Sequence, residues 1–144
     1  MSEAKKTVLV TGVFDILHHE HVEFLQKAKA LGDELVVGIE SDVRVAAIKG
    51  PGRPINTAAI RKTNLENLGL ADEVFILPEA FDKPEHHEAL IAQYHPDFLA
   101  VSSHTAHLDK KQALLAKYGG QVVVVHDHNP AVSTTQLLQQ QTKA

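Results

Sequence analysis

Residues Thr11 to Asp33 read TGVFDILHHEHVEFLQKAKALGD, and the fold is decided here. The stretch starts where an apolar run, Thr7 to Val10, ends; that run reads as a buried strand. Gly12 and a short apolar turn follow, then His18, His19 and His21. From about Glu20 the period changes to that of a helix. Phe24, Leu25, Ala28 and Leu31 share one face, while Glu23, Gln26, Lys27 and Lys29 lie off it. Gly32-Asp33 stops the helix. Strand, tight turn and helix make the first unit of an α/β sheet, and ligands of open α/β sheets bind at the carboxyl ends of the strands. The start of the helix offers unpaired N–H groups and a partial positive charge, which suit a phosphate. His18 and His21, three residues apart, add donors beside that anion site. The unit therefore suits phosphoryl transfer.

Outward from this unit, strands and helices alternate. Strand one covers Lys6 to Thr11 and helix one about Glu20 to Leu31. Leu35 to Ile39 is a second strand, and Ser41-Asp42 caps a short helix that runs to Ile48. Lys49 to Asn56, KGPGRPIN, breaks all periodicity and is a loop. Helices are expected over Thr57 to Leu68, Glu85 to Tyr94 and Asp109 to Tyr118. Strands are expected over Glu73 to Leu77, Phe98 to Val101 and Gln121 to Val125. A last helix opens at Ser133-Thr134. The pattern predicts a Rossmann-like, doubly wound, five-stranded parallel sheet with helices on both faces, in a single domain over residues 1–144.

Composition narrows the function. The chain has 144 residues, no cysteine and a formal net charge of −4. Lack of cysteine excludes a disulfide framework, a thiolate metal site and a cysteine nucleophile. The acidic balance argues against a nucleic-acid partner. There is no signal-peptide pattern and no apolar run of membrane-spanning length, so the expectation is a cytoplasmic protein with no membrane partner. Ten histidines are present, grouped at 18/19/21, 86/87, 104/107 and 126/128, with His95 alone.

The first unit resembles the nucleotidylyltransferase superfamily, in particular its cytidylyltransferase-like branch, whose signature runs G-x-F-D-x-x-H-x-G-H. Gly12, Phe14, Asp15, His18 and His21 match, and Glu20 stands where the family has glycine. The stretch Asp42 to Arg61, DVRVAAIKGPGRPINTAAIR, is similar to glycerol-phosphate cytidylyltransferases and heptose-phosphate adenylyltransferases, which show lysine-glycine, R-P-[IV]-N and then a helical arginine. The resemblance implies transfer of a nucleoside monophosphate from CTP or ATP to a phosphorylated small molecule such as glycerol 3-phosphate or a sugar phosphate. Pyrophosphate is released, Mg2+ accompanies the nucleotide, and a homodimer is common. His18, His21 and Lys49 are then the catalytic residues. Thr11, Gly12, Val13, Phe14, Asp15, Arg61, Ser133 and Thr134 bind the nucleotide and its phosphates. Asp15 can hold the water shell of the magnesium or fix the turn. After strand four the proteins it resembles carry a glycine-aspartate stretch that contacts the nucleotide, where this chain has Ser102-Ser103-His104; this departure and Glu20 both fall on the nucleotide side of the site the resemblance implies.

Two other readings stay open. One is a nucleotide-binding protein of this fold in which Glu20 suppresses turnover: a carboxylate ~6 Å from a phosphate costs roughly 3 kcal/mol at an effective dielectric of ~20. The other is a metal-binding protein. In a sheet of order 3-2-1-4-5 the histidines 18/21, 104/107 and 126/128 leave at one edge, and imidazoles converging from three loops suit zinc, nickel or copper, with Glu20 as an oxygen ligand. The leading assignment has no metal ligand in the protein.

Overall fold

The computed structural model describes residues 5–103 and 105–126. In chain order the elements are β1 (Thr7–Gly12), α1 (His19–Lys29), β2 (Glu34–Ile39), α2 (Asp42–Lys49), α3 (Ala58–Asn67), β3 (Glu73–Ile76), α4 (Pro84–Tyr94), β4 (Phe98–Ser102), α5 (Leu108–Lys117) and β5 (Gln121–His126). The five strands form one sheet in the order β3-β2-β1-β4-β5, and every pairing is parallel. This is the α/β, Rossmann-like, doubly wound arrangement the sequence predicts.

Strand residues alternate between two apolar layers. Val8 and Val10 face the layer with Leu25 and Ala28 of α1 and Leu65 of α3, whereas Leu9 faces the layer with Leu90 and Ile91 of α4 and Leu115 of α5. Val8, Leu9 and Val10 are all fully buried, which is why β1 reads as an unbroken apolar run rather than an alternating one. Right-handed crossovers explain the layering: β1 to β2 to β3 runs one way along the sheet, and β4 to β5 runs the other. The reversal falls between β1 and β4, and the crevice at that switch point, outside the carboxyl ends of the strands, is where such sheets hold ligands.

Most boundaries agree with the periodicity to within two residues. Two shifts matter for the site. Lys49 is the last residue of α2 rather than the first of the loop. His126 closes β5 rather than opening the loop beyond it. His104, His128, Ser133, Thr134 and the last expected helix lie outside the described residues. Among the described residues, no helix is long and apolar enough to cross a membrane.

Candidate active site

The first turn of α1 is built by its own histidines. His18 is the N-cap, and its Nδ1 accepts from the Glu20 N–H at 3.2 Å. His21 returns the bond, its Nδ1 accepting from the His18 N–H at 3.4 Å. The two imidazoles stack at 3.9 Å between centroids, 25° from parallel, and Phe14 meets His21 edge-on at 5.3 Å. This reciprocal box does with two rings what serine and glutamate usually do. It also sets the chemistry: with Nδ1 an acceptor, the proton of each neutral ring sits on Nε2, which becomes a donor. Gly12 lies under Phe14; a Cβ there would come within 2.8 Å of the ring. Phe14 itself is buried with φ +51. Its ring therefore braces the turn from below, and the Gly12 carbonyl accepts from the Glu40 N–H at 3.0 Å. Thr11 is exposed at that same end, and Val13 is half-buried with its carbonyl turned inward.

Asp15 is an anchor. Its carboxylate accepts from Arg53 Nε at 3.1 Å, Ile55 N–H at 2.8 Å and Asn56 N–H at 2.8 Å. Asn56 Nδ2 donates to the Asp15 carbonyl at 2.7 Å. So Asp15 fixes not its own turn but the R-P-I-N loop forty residues on, and its side chain is fully enclosed. Both carboxylate oxygens are spent on protein donors, so Asp15 does not fit a role in the shell of a magnesium ion.

Arg61 also departs from the expectation of a phosphate fork. It is fully buried. Nε donates to the Asn56 carbonyl at 3.0 Å, Nη1 to the carbonyls of Val13 at 3.0 Å and Glu40 at 2.8 Å, and Nη2 to Asp42 Oδ1 at 2.8 Å. Three orphan carbonyls at strand and loop ends need donors, and a guanidinium is the side chain with enough of them in one plane. Arg61 ties the turn after β1 to the end of β2, the start of α2 and the loop before α3 from within.

Lys49 is exposed at the end of α2, just before Gly50 with φ +95. Among the described residues, buried Arg53 Nη2 and Arg44 Nε have no hydrogen-bond partner, and Arg44 Nε faces Glu40 Oε2 only at 3.7 Å. Burial pushes the Glu40 carboxyl above its ordinary value, against the pull of Arg44 and Arg61. The R-P-I-N motif pointed to Arg53, but the sequence offered no sign that one donor of Arg53 would be spent on Asp15 and another left over.

Glu20 does not stand toward the phosphate side as a bare charge. It is buried, and Oε2 bonds His126 Nε2 at the end of β5. Lys27 Nζ lies 3.0 Å from His126 Nδ1. An ammonium can only donate, so Nδ1 accepts, Nε2 carries the proton, and the imidazole passes hydrogen bonds from cation to anion. The electrostatic cost expected of Glu20 is offset in place. Glu20, Glu23 and His126 bring ligand atoms within 4.8 Å of one another. That group holds Glu20 and a late histidine, as the metal reading foresaw, but not His18, His21 or His107. Lys27 occupies the second nitrogen of its one imidazole.

The sequence pattern of the family described as Cytidylyltransferase-like matches residues 9–140. The chain is 42 % identical over 120 residues to "Bifunctional protein HldE" of Pseudomonas fluorescens SBW25, covering 82 % of this chain and 24 % of that protein. It is 44 % identical over 98 residues to the protein of that name in Azotobacter vinelandii, covering 68 % and 20 %. The chain thus spans about a quarter of the length of the curated relatives it matches. Among solved structures, a lipopolysaccharide core biosynthesis protein from Thermoplasma volcanium GSS1 superposes with a TM-score of 0.68 at 28 % identity, over 88 % of this chain and 98 % of that one. Pantothenate synthetase from Thermus thermophilus, at 14 % identity, shares the fold with a TM-score of 0.58 over 96 % and 64 %. A signature turn at the sheet's switch point, capped by two histidines, and a family pattern running from β1 past β5 agree: the chain belongs to the cytidylyltransferase-like family.

Proposed function

We propose that the protein transfers a nucleoside monophosphate from ATP or CTP to a sugar phosphate. A phosphate oxygen of the acceptor attacks the α-phosphorus of the nucleotide and forms the new P–O bond. The bond from that phosphorus to the bridging oxygen breaks, and pyrophosphate leaves with the electron pair. Such chemistry needs positioning and charge stabilisation more than a covalent nucleophile. Gly12 and the α1 N-terminus receive the α-phosphate. His18 and His21 donate from Nε2 to oxygens that gain charge as the bond to pyrophosphate breaks. Lys49 closes on the phosphates from the end of α2. Ser133 and Thr134 complete the triphosphate site by resemblance. Magnesium enters as part of the substrate, on the nucleotide's own phosphates.

The observation that carries this reading is the His18–His21 box, which presets two N–H donors at the start of a helix beside the β1–β4 crevice. A pyrophosphate-release screen that crosses ATP and CTP with phosphorylated sugars and glycerol 3-phosphate tests it. Release that requires both a nucleotide and a sugar phosphate is the expected result. Tight nucleotide binding without release from any pair would favour the non-catalytic reading, and release with glycerol 3-phosphate alone would move the acceptor class.

A further inference from the structure

The face of the sheet opposite α1 holds two adjoining hollows. One, of about 150 Å³, lies over the ends of β1 and β4 and is floored by Leu9, Leu99 and Val101. Its polar lining is Thr11, His87, Ser102, Thr105 and Lys111. The other, of about 580 Å³, is a groove between the starts of α4 and α5, lined by Asp82, Glu85, His107 and Lys110 among others. His87, Lys111 and Leu114 line both, so the two hollows meet across those side chains. Thr11 precedes Gly12 directly, which puts the inner hollow one residue from the signature turn.

The charge at the junction is one-sided. Lys111 is half-buried and donates to Thr105 Oγ1 at 2.5 Å, a neutral partner. Among the described residues no carboxylate pairs with it. Burial holds its ammonium below the ordinary lysine value. Burial also lowers His87, and the Lys111 ammonium lowers it further, against a hydrogen bond with the Phe81 backbone that raises it. A half-buried cation among hydroxyls and an imidazole is short of an anion. The groove beyond has the opposite character, with exposed carboxylates and an imidazole that can bond to hydroxyl groups. Its volume falls within the usual range for small-molecule sites, about 300–1,000 Å³.

We propose that the acceptor binds on this face, its phosphate at Lys111 and Thr105 and its hydroxylated body in the α4–α5 groove, so that the enzyme selects a sugar phosphate over a three-carbon phosphate. This rests on the nucleotidyl-transfer reading and divides the substrates between the sheet's two faces. The nucleotide phosphates lie at the α1 start, the acceptor phosphate lies across the β1–β4 crevice, and Thr11 stands between them. Lys111 is a specificity and binding residue here.

Lys111→Gln keeps a donor for Thr105 and removes the charge. In the pyrophosphate-release assay it should raise the acceptor KM about 10–100-fold, the range for one charged hydrogen bond, and leave the nucleotide KM unchanged. A binding measurement stands apart from turnover. Backbone amide NMR of the nucleotide-free protein is followed as mannose 1-phosphate, glycerol 3-phosphate or inorganic phosphate is added. Mannose 1-phosphate should move the amides of Thr105, His107 and Lys111 at lower concentration than the other two, and Lys111→Gln should abolish the effect. Shifts confined to Gly12 through His21, equal affinity for glycerol 3-phosphate, or an unchanged response in Lys111→Gln would each overturn the proposal. Absence of pyrophosphate release from every pair would instead remove the nucleotidyl-transfer reading, and the titration would still decide the cavity.

Discussion

Replacing Asp15 with alanine tests how the site is held together. The carboxylate is fully enclosed and accepts from Arg53, Ile55 and Asn56. Its loss breaks a buried ion pair, which costs about 3–5 kcal/mol because the remaining charge is stranded. The two backbone N–H groups would each add about 1–3 kcal/mol if they stayed buried and unpaired. The loop is near the surface, with Ile55 52 % exposed, so it can lift and let water reach those groups. The first figure is therefore the better guide. At about 2–4 °C per kcal/mol for a domain near this size, the melting temperature should fall by roughly 6–20 °C. Asp15→Asn keeps one acceptor oxygen and should fall between parent and alanine variant. Thermal melts followed by circular dichroism give the magnitude, and amide exchange locates it: Ile55 and Asn56 should exchange faster by more than the rest of the sheet. A melting temperature within about 2 °C of the parent, with those two amides still protected, would show that the loop holds its shape without Asp15.

His21→Ala should reduce turnover at least ~100-fold, within the range for losing one donor to developing charge, while far-UV circular dichroism stays unchanged. An unchanged rate would remove the role given to the box. Lys49→Ala should weaken phosphate binding or the rate without moving the urea midpoint, since the side chain is exposed at a helix end; lost stability with normal kinetics would make Lys49 structural. Glu20→Gly should destabilise the fold by about 2–4 kcal/mol, from the lost bond to His126 and glycine's helix cost, without the ~tenfold gain in nucleotide affinity that an uncompensated carboxylate would imply. Calorimetric titration with the magnesium nucleotide and urea melts separate the two effects, and tighter binding with unchanged stability would contradict the pairing. Asp72 is held below the ordinary carboxylate value of 3.8 by the Lys29 ammonium first and the Leu35 N–H second. A depressed acid stabilises above its unfolded value, and that stabilisation declines as pH falls below 3.8 and is gone once pH passes the folded value. Asp72→Asn should therefore lose less stability than the parent between about pH 5 and about pH 3 in urea melts, and parallel losses would exclude Asp72 as a contributor.

The fold was legible because its signals are local. Apolar runs such as Val8 to Val10, periodic helices and the stops at Gly32-Asp33 and Gly119-Gly120 each declare an element within a few residues. Parallel topology followed from alternation. The site was half legible. Gly12, Phe14, His18 and His21 act within one turn, and their spacing carries their meaning. Arg61 and Asp15 carry chemistry-bearing side chains whose partners lie 5 to 48 and 38 to 41 residues away. Nothing in their local sequence distinguishes a guanidinium aimed at a ligand from one aimed at Val13 and Glu40. The same holds for Glu20, whose partner His126 is 106 residues distant. Lys111 and His87 had a faint signal: the pairs 110/111 and 86/87 fall near the starts of α5 and α4, which a parallel sheet must place at its carboxyl edge.

Arg61 bonds at once to the turn after β1, the end of β2, the start of α2 and the loop before α3. Four segments that share one buckle cannot loosen one at a time. If the first turn of α3 frays, the guanidinium withdraws from all of them together. These four segments then open as one cooperative unit, with a single free energy of opening read out by amides as far apart in sequence as Glu40, Val45 and Ile55. A lesion far from any substrate, such as one that weakens the start of α3, would change ligand affinity by changing how often that unit is closed.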